Sequence, residues 1–191
     1  MRLRPLVLAT ALLACLAIAP AAGAAVWGDA VQPAAEDMSD DPRTQVAELS
    51  DGTAVAVWTV IIAPASVKTA MESHRDADGV WSTPAPLPGS STDVSDVRLA
   101  ADASGHAIAV WYKWLDGPGH GEIEAARFGG GTWTSSTELS DPSGTSPDVS
   151  QPELVVAPDG TAWATWWQTA DGWTTQALYA TRYDGSGWAA A

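Results

Sequence analysis

Tryptophan returns along this chain at an almost constant interval. One series is spaced by 54, 52 and 55 residues and consists of Trp27, Trp81, Trp133 and Trp188. A second series is spaced by 53 and 55 residues, with a glycine six positions before each member: Trp58, Trp111 and Trp166, preceded by Gly52, Gly105 and Gly160. A period of about 50 residues with strand-like content indicates a repeat protein whose units are small β-sheets.

The first half of each repeat has the pattern of a β-hairpin. A short apolar run, an Asp-Gly or Ser-Gly turn and a second apolar run occur in 46–58, 99–111 and 154–166. Glycine supplies the positive φ that a tight turn needs, so each stretch predicts two antiparallel strands, which we call a and b.

Strand b is apolar on both of its faces. In the first repeat, Val55 and Val57 point to one side, whereas Ala54, Ala56 and Trp58 point to the other. A strand with one wet face would alternate with polar residues, so we predict that neighbouring sheets cover strand b on both sides. The tryptophans of the second series are then core residues, and the same holds for Trp163, which stands where the other repeats have valine or isoleucine.

The second half of each repeat predicts another hairpin, formed by strands c and d. Strand c is expected within 66–75, 122–127 and 176–182, and a glycine-rich turn follows each time. Strand d opens with the turn-packing anchors Trp81, Trp133 and Trp188. An arginine stands six residues before each anchor, and we expect a structural hydrogen-bonding role for this set: Arg75, Arg127 and Arg182.

Four antiparallel strands in about 50 residues, packed against copies of themselves, describe a β-propeller blade. The predicted fold is therefore all-β, a partial β-propeller of about three four-stranded blades with a lone N-terminal outer strand. The predicted boundaries are a signal peptide at 1–25, repeats over 26–191, the outer strand at 26–34, and blades at 44–88, 97–140 and 152–191, the last with a truncated outer strand.

The last c–d turn resembles the Asp-box, the bacterial neuraminidase repeat with the pattern Ser/Thr-x-Asp-x-Gly-x-x-Trp. The matching stretch runs from Thr181 to Trp188, although Tyr183 stands where the family has Asp. In the second repeat the four pattern positions hold Ala126, Phe128, Gly130 and Trp133, so the glycine and the tryptophan match and the first two positions depart from the pattern. The units also resemble the "PDGTAVAVW … GGxWS" repeats of exported bacterial propeller proteins. The resemblance implies sialidase-type propeller blades and says little about activity.

The N-terminus predicts export. Arg2 and Arg4 precede an apolar run that is too short for a membrane span, and Ala22-Gly23-Ala24 suggests cleavage before Ala25 or Val26. A lipoprotein reading around Cys15 is less favoured, because the apolar stretch continues past the cysteine. The mature protein would then be secreted or extracytoplasmic and free of disulfides.

The chain is strongly acidic, with a formal net charge of −14. Without Arg2 and Arg4, seven basic residues remain against 23 acidic ones, which gives −16. Such a surface repels nucleic acid and anionic lipid, so neither is expected as a partner. We also expect no membrane association after signal cleavage.

Three blades are too few to close a ring, since known propellers use roughly four to eight. Two interpretations follow. The chain is a piece of a longer protein, or it forms a homo-oligomer in which two copies complete a ring. The N-terminal strand could pair with the last blade in either case.

The residues that do not repeat are the candidates for ligand contact. They lie in or beside the predicted b–c loops, on the face of a propeller where ligands usually bind, and comprise Trp114, Asp116, His120, Trp167, Gln168, Asp171 and Trp173. Exposed tryptophans near carboxylates and amides are typical of a carbohydrate platform. The alternative is that these rings cover loop edges or blade seams.

No catalytic motif, metal site or cofactor site is recognisable. The chain lacks a nucleophile elbow, a His-Glu-x-x-His motif and a phosphate loop. The sequence therefore favours a secreted, non-catalytic module that binds a carbohydrate or a surface protein through its b–c loops. A truncated sialidase-like glycoside hydrolase and a structural repeat with no specific ligand remain as alternatives.

Overall fold

The structure, a computed structural model, describes residues 44–62, 67–90, 93–115, 121–140, 149–170 and 175–190. All of them belong to the second of the chain's two compact units, Gln32–Ala191. The predicted signal peptide and the outer strand at 26–34 lie outside the described residues. The described part is all-β and forms three antiparallel sheets.

The first sheet follows the predicted a-b-c-d order. Its strands are β1 (Gln45–Glu48), β2 (Ala54–Ile62), β3 (Val67–Arg75) and β4 (Ala85–Pro86). The second sheet has the same order with a divided outer strand: β5 (Val94–Ala101), β6 (His106–Trp114), β7 (Gly121–Gly129), β8 (Thr132–Trp133) and β9 (Thr137–Glu138).

The third sheet keeps the first three strands, β10 (Val149–Val156), β11 (Ala162–Ala170) and β12 (Thr175–Tyr183). Within the described residues its outer strand is reduced to one bridge between Tyr183 and Trp188. Each sheet is thus an up-and-down blade, and consecutive blades pack face to face, which is the arrangement of a partial β-propeller.

The seams between sheets bury small side chains against branched ones. Val55 and Val57 of the first sheet pack against Ala107, Ala109 and Trp111 of the second. Ile108 and Val110, on the other side of the second sheet, pack in the same way against Ala162, Ala164 and Trp166 of the third. Alanine lets two strands approach closely, and each buried valine contributes roughly 1.5–3 kcal/mol.

Polar contacts link the innermost strands of successive sheets. The Gln45 side-chain Oε1 accepts a hydrogen bond from the Leu99 backbone N–H at 2.6 Å. Arg98 Nη2 lies 3.3 Å from Glu153 Oε1. These contacts connect β1 to β5 and β5 to β10, so the a strands hold the blades in sequence.

Strand b is buried on both faces in two of the three sheets, and among the described sheets only β6 has a neighbouring sheet on each side. Residues 54–60 of β2 and 107–111 of β6 are buried without alternation. In β11, however, Trp163 is 48% exposed and Trp167 is 42% exposed. The prediction that Trp163 is a core residue is therefore wrong, because no described sheet lies against that side of the third blade.

Strands β5 and β10 begin earlier than the hydrophobic pattern indicates. They start at residues 94 and 149, whereas the predicted blades start at 97 and 152. Each strand contains a bulge with a non-glycine residue at positive φ, Asp96 at 52° and Gln151 at 54°. A bulge shifts the alternation of side chains, so it interrupts the period-two pattern from which the strands were read.

The three arginines do not occupy equivalent positions. Arg127 pairs with Ile108 and Arg182 with Trp163, but the residue paired with Val55 is His74. Arg75 is one position further along and pairs with Ala54. Because side chains alternate along a strand, Arg75 points to the opposite face of its sheet from the other two arginines.

The a–b turns depend on glycine at positive φ. Gly52 has φ of 82° and open space where a Cβ would stand. We expect Gly52→Ala to lower the free energy of unfolding by about 1–2 kcal/mol, since the left-handed conformation disfavours L-residues. Urea unfolding followed by tryptophan fluorescence measures this difference.

Gly187→Ala is the matched control for that substitution. A Cβ at Gly187 also meets open space, and this glycine does not lie in the left-handed region. The free energy of unfolding of Gly187→Ala should equal that of the wild type or exceed it by up to about 1 kcal/mol. Equal losses in the two variants would contradict the conformational explanation.

Candidate functional site

Of the residues predicted to bind ligand, the three that the structure describes, Trp114, Trp167 and Gln168, do not converge on one surface. Asp116, His120, Asp171 and Trp173 lie outside the described residues. Trp114 ends β6, is 41% exposed and makes an edge contact with Tyr112 at 6.1 Å between ring centroids.

Trp114 and Trp167 lie on different sides of the third sheet. Trp114 shares the face of β6 that packs toward the third sheet, because it alternates in step with Ile108 and Val110. Trp167 belongs to β11 rather than to a loop, on the face directed away from the second sheet. The two exposed rings therefore cannot form one platform.

Gln168 has a structural position. It is 5% exposed, and its Oε1 accepts a hydrogen bond of 3.0 Å from the buried indole Nε1 of Trp166. Its side chain points into the seam, and ligand contact by Gln168 stays a prediction. Alternation along β11 separates Gln168 from its exposed neighbour Trp167.

Lys113 in β6 of the second sheet occupies the position equivalent to Gln168 in β11 of the third sheet. The Lys113 Nζ lies 2.6 Å from Glu122 Oε1 and 3.0 Å from Glu124 Oε1. Burial disfavours the charged ammonium, but hydrogen bonds to the two carboxylates outweigh it, so the pKa of Lys113 is raised above its usual value. A lysine cannot accept a hydrogen bond, and the Nε1 of Trp111 is buried without a partner among the described residues.

This charged cluster is suited to structure rather than to acid–base chemistry. A glycoside hydrolase requires one protonated and one ionised carboxyl group, each free to reach the substrate. Glu122 and Glu124 share one ammonium instead, with 13% and 9% of their side-chain surfaces exposed. Both carboxylates are therefore engaged by the ammonium, and Glu124 Oε2 is buried without a hydrogen-bond partner among the described residues.

A cleft of about 360 Å³ opens between the second and third sheets. Its floor is formed by Ile108, Ala125 and Ala126. Its walls carry hydroxyls, a guanidinium and two aromatic rings, from Arg127, Thr134, Ser135, Thr137, Tyr183, Ser186 and Trp188. None of the described residues that line the cleft is Asp or Glu.

One substitution explains why this seam is open and the preceding one is filled. In the seam between the first and second sheets, the His74 ring lies 5.4 Å from Phe128, which lies 5.4 Å from Trp133. In the next seam Arg127 takes the place of His74. Among the described residues, none accepts a hydrogen bond from its guanidinium, which therefore retains its donors for a ligand.

The c–d turn at the edge of the cleft is organised by Asp184. Its Oδ1 accepts hydrogen bonds from Ser186 Oγ at 2.7 Å, Ser186 N at 2.8 Å and Gly187 N at 3.0 Å. Hydrogen bonds from Ser186 and then Gly187 lower the pKa of Asp184 from 3.8 to about 2. The carboxylate thus stands one residue after Tyr183, the position that corresponds to the Asp of the Asp-box pattern.

The described ranges contain no helix of the length and apolarity that a bilayer span requires. They also bring no three His, Cys, Asp or Glu side chains together as a group that could hold a metal ion.

Replacement of Gln168 by methionine should cost stability. The variant leaves the buried Nε1 of Trp166 without an acceptor, so we expect the free energy of unfolding to fall by about 1–3 kcal/mol. Gln176→Met, at an exposed position of β12, should change it by less than about 0.5 kcal/mol. Unchanged stability in Gln168→Met would show that the Trp166 hydrogen bond is dispensable.

Asp184 should make the fold sensitive to acid. Because its pKa is lowered from 3.8 to about 2 in the folded protein, its contribution is full above 3.8 and is lost as the pH falls through 2. Asp184→Ala should therefore be less stable than the wild type at neutral pH, and the difference should shrink as the pH falls through that window. Urea midpoints across a pH series measure this.

Asp78→Ala is the control for the acid series, since Asp78 is an exposed aspartate in the c–d turn of the first sheet. Its stability should follow that of the wild type at every pH. A constant difference between wild type and Asp184→Ala down to pH of about 2 would exclude the Asp184 carboxylate as the titrating group.

No family model and no curated protein matches the chain. Among solved structures, the chain is similar to an endo-arabinase from Bacteroides thetaiotaomicron, with 16% sequence identity and a TM-score of 0.44. The match covers 74% of this chain and 55% of that chain, so this chain spans about half the length of that protein.

Proposed function

We propose that the protein is an exported, non-catalytic binding module that recognises carbohydrate at the cleft between its second and third sheets. The observation that carries the proposal is a cleft of about 360 Å³ lined by hydroxyls, aromatic rings and the Arg127 guanidinium, which has no hydrogen-bond acceptor among the described residues. Small-ligand sites commonly have volumes of about 300–1,000 Å³. The cleft is at the small end of this range, which suits one or two sugar rings.

The lining matches the two-sided chemistry of a sugar. Trp188 and Tyr183, whose ring centroids lie 5.4 Å apart, offer apolar surface to the C–H groups of a pyranose or furanose. Ser135 can donate to or accept from sugar hydroxyls, whereas Arg127 can only donate. Ser186 Oγ already donates to Asp184, so it can only accept.

The charge of the chain restricts the kind of carbohydrate. A net charge of −14 repels polyanionic chains, although salt screens this repulsion beyond about 8 Å. One guanidinium does not offset that field. The proposed ligand is therefore a neutral oligosaccharide, with Arg127 as a donor to sugar oxygens rather than as a partner for a sugar acid.

The lining favours binding over hydrolysis. Glycoside hydrolases need two carboxyl groups beside the scissile bond. The described cleft residues include none, and Glu122 and Glu124 are engaged by Lys113. A glycoside hydrolase nevertheless remains the alternative to be tested.

The b–c end of the blades is a second candidate surface for the same ligand class. Trp114 and Leu115 are exposed there, 41% and 37%, and the loop segments 63–66, 116–120 and 171–174 lie outside the described residues. Binding through these loops stays a prediction, and Trp114→Ala tests it separately from the cleft.

Arg127→Ala should weaken binding of neutral oligosaccharides about tenfold or more. A hydrogen bond to a charged group contributes about 1.5–3 kcal/mol, and 1.4 kcal/mol corresponds to a factor of ten in Kd. The first step is a glycan array with the folded wild type, and titration calorimetry on the best neutral ligand then gives the Kd of each variant.

Arg182→Ala is the matched control, because Arg182 occupies the same position in the third sheet without lining the cleft. Its Kd should stay within about twofold of the wild type. If Trp114→Ala loses binding and Arg127→Ala does not, the ligand binds at the b–c end of the blades and not in the cleft. A wild-type array without any signal would refute the proposed function, and turnover of a glycoside panel would establish an enzyme instead.

A further inference from the structure

The third sheet has an apolar face that no described element covers. Of the eight large hydrophobic side chains that are exposed in the described ranges, four lie on it: Val155 at 62%, Trp163 at 48%, Trp167 at 42% and Leu178 at 62%. Cross-strand pairing makes them neighbours, since Trp163 is opposite Val155 and Trp167 is opposite Leu178. We call this surface the free face. It consists of these four side chains together with the adjacent Glu153, Thr165, Ala180 and Arg182.

The same face of the other two sheets is a seam. The positions equivalent to Trp163 are Val55 and Ile108, exposed by 0% and 3%, and each packs against the next sheet. A sheet face meant for water would alternate with polar side chains, and exposed apolar patches of this kind mark binding surfaces. The free face therefore continues an interface type that the molecule already uses twice.

Its side chains differ from those of the internal seams. Trp163 is much larger than the valine and isoleucine that pack against alanine strands, so an identical close seam would not accommodate it. Tryptophan and arginine are enriched at the centres of protein interfaces. The free face thus suits a partner surface that offers room for an indole ring.

The other end of the blade array offers no such surface for head-to-tail stacking. The first sheet's outer face carries Ala56, Trp58, Val60 and Met71, which are between 0% and 6% exposed. Val46 of β1, on the same face, is 61% exposed. The β2 and β3 side chains there are nevertheless buried, so a second copy cannot pack a blade against this face as in the internal seams. Among the described sheets, the free face itself is the uncovered apolar blade surface that a second copy can present.

We propose that the free face binds the free face of a second copy of this chain, giving a twofold symmetric dimer in which two third sheets pack face to face. The symmetry makes the contact self-complementary. Glu153 at the edge of the free face is already paired with Arg98 of the second sheet, so the apolar side chains Trp163, Trp167 and Leu178 carry the contact. This dimer is independent of carbohydrate binding at the cleft.

The size of the free face predicts a weak dimer. Three strands about 4.8 Å apart and up to nine residues long cover roughly 400 Å² in projection. Stable interfaces bury about 800 Å² per partner, and smaller ones belong to transient complexes. The expected Kd is therefore in the micromolar range rather than the nanomolar range.

Sedimentation velocity of the mature chain from about 1 µM to about 1 mM tests the proposal. The mass should rise with concentration and saturate at two copies. Leu178→Lys and Trp167→Lys should each raise the dimer Kd at least about tenfold, since both replace interface apolar surface by charge. Both residues are exposed, and circular dichroism of each variant checks that the sheets persist.

Trp114→Lys is the matched control, because it places the same charge at an exposed tryptophan outside the free face. Its dimer Kd should equal that of the wild type. A monomer at every concentration would overturn the proposal, as would a mass that keeps rising beyond two copies, which indicates open-ended stacking. A dimer that survives both lysine substitutions would place the contact elsewhere.

Discussion

Face-to-face burial of neighbouring sheets is the interaction on which the rest of this structure depends. Each seam sets a strand of alanines and one tryptophan against the branched side chains of the preceding sheet. The alanines permit close approach, and the tryptophan, Trp111 or Trp166, is fully buried in its seam. No disulfide joins the blades, since the one cysteine lies in the predicted signal peptide, so this burial and the polar links between a strands hold them in sequence.

The blades differ chemically where equivalent seam positions hold different residues. The His74 ring packs against Phe128 in a tilted arrangement and fills the first seam, whereas Arg127 at the same position leaves a polar cleft beside Tyr183 and Trp188. Gln168 satisfies the Trp166 indole, whereas Lys113 turns to two glutamates. The repeat thus provides a constant scaffold, and single exchanges on its inner faces create the sites.

Much of the blade could be predicted from residue pattern alone. The turn glycines, the two apolar faces of strand b and the tryptophan spacing are local signals, and the observed order of strands agrees with them. The bulges at Asp96 and Gln151 could not be predicted in this way, because a non-glycine residue at positive φ leaves no compositional mark. The face to which Arg75 points could not be predicted either, because a shift of one residue in the pairing register moves a side chain to the other side of the sheet.

The candidate surfaces depended almost wholly on tertiary structure. Trp163 and Trp166 belong to one strand and read alike in the sequence, yet one is 48% exposed and the other is fully buried. Whether a neighbouring sheet is present decides the difference, and neighbours are set by long-range packing that composition does not encode. The sequence by itself determined the repeated blade, its turns and its acidic surface. Only the tertiary structure decided which blade face stays open, which seam contains a cleft and which polar groups remain unpaired, because each depends on side chains brought together from different repeats.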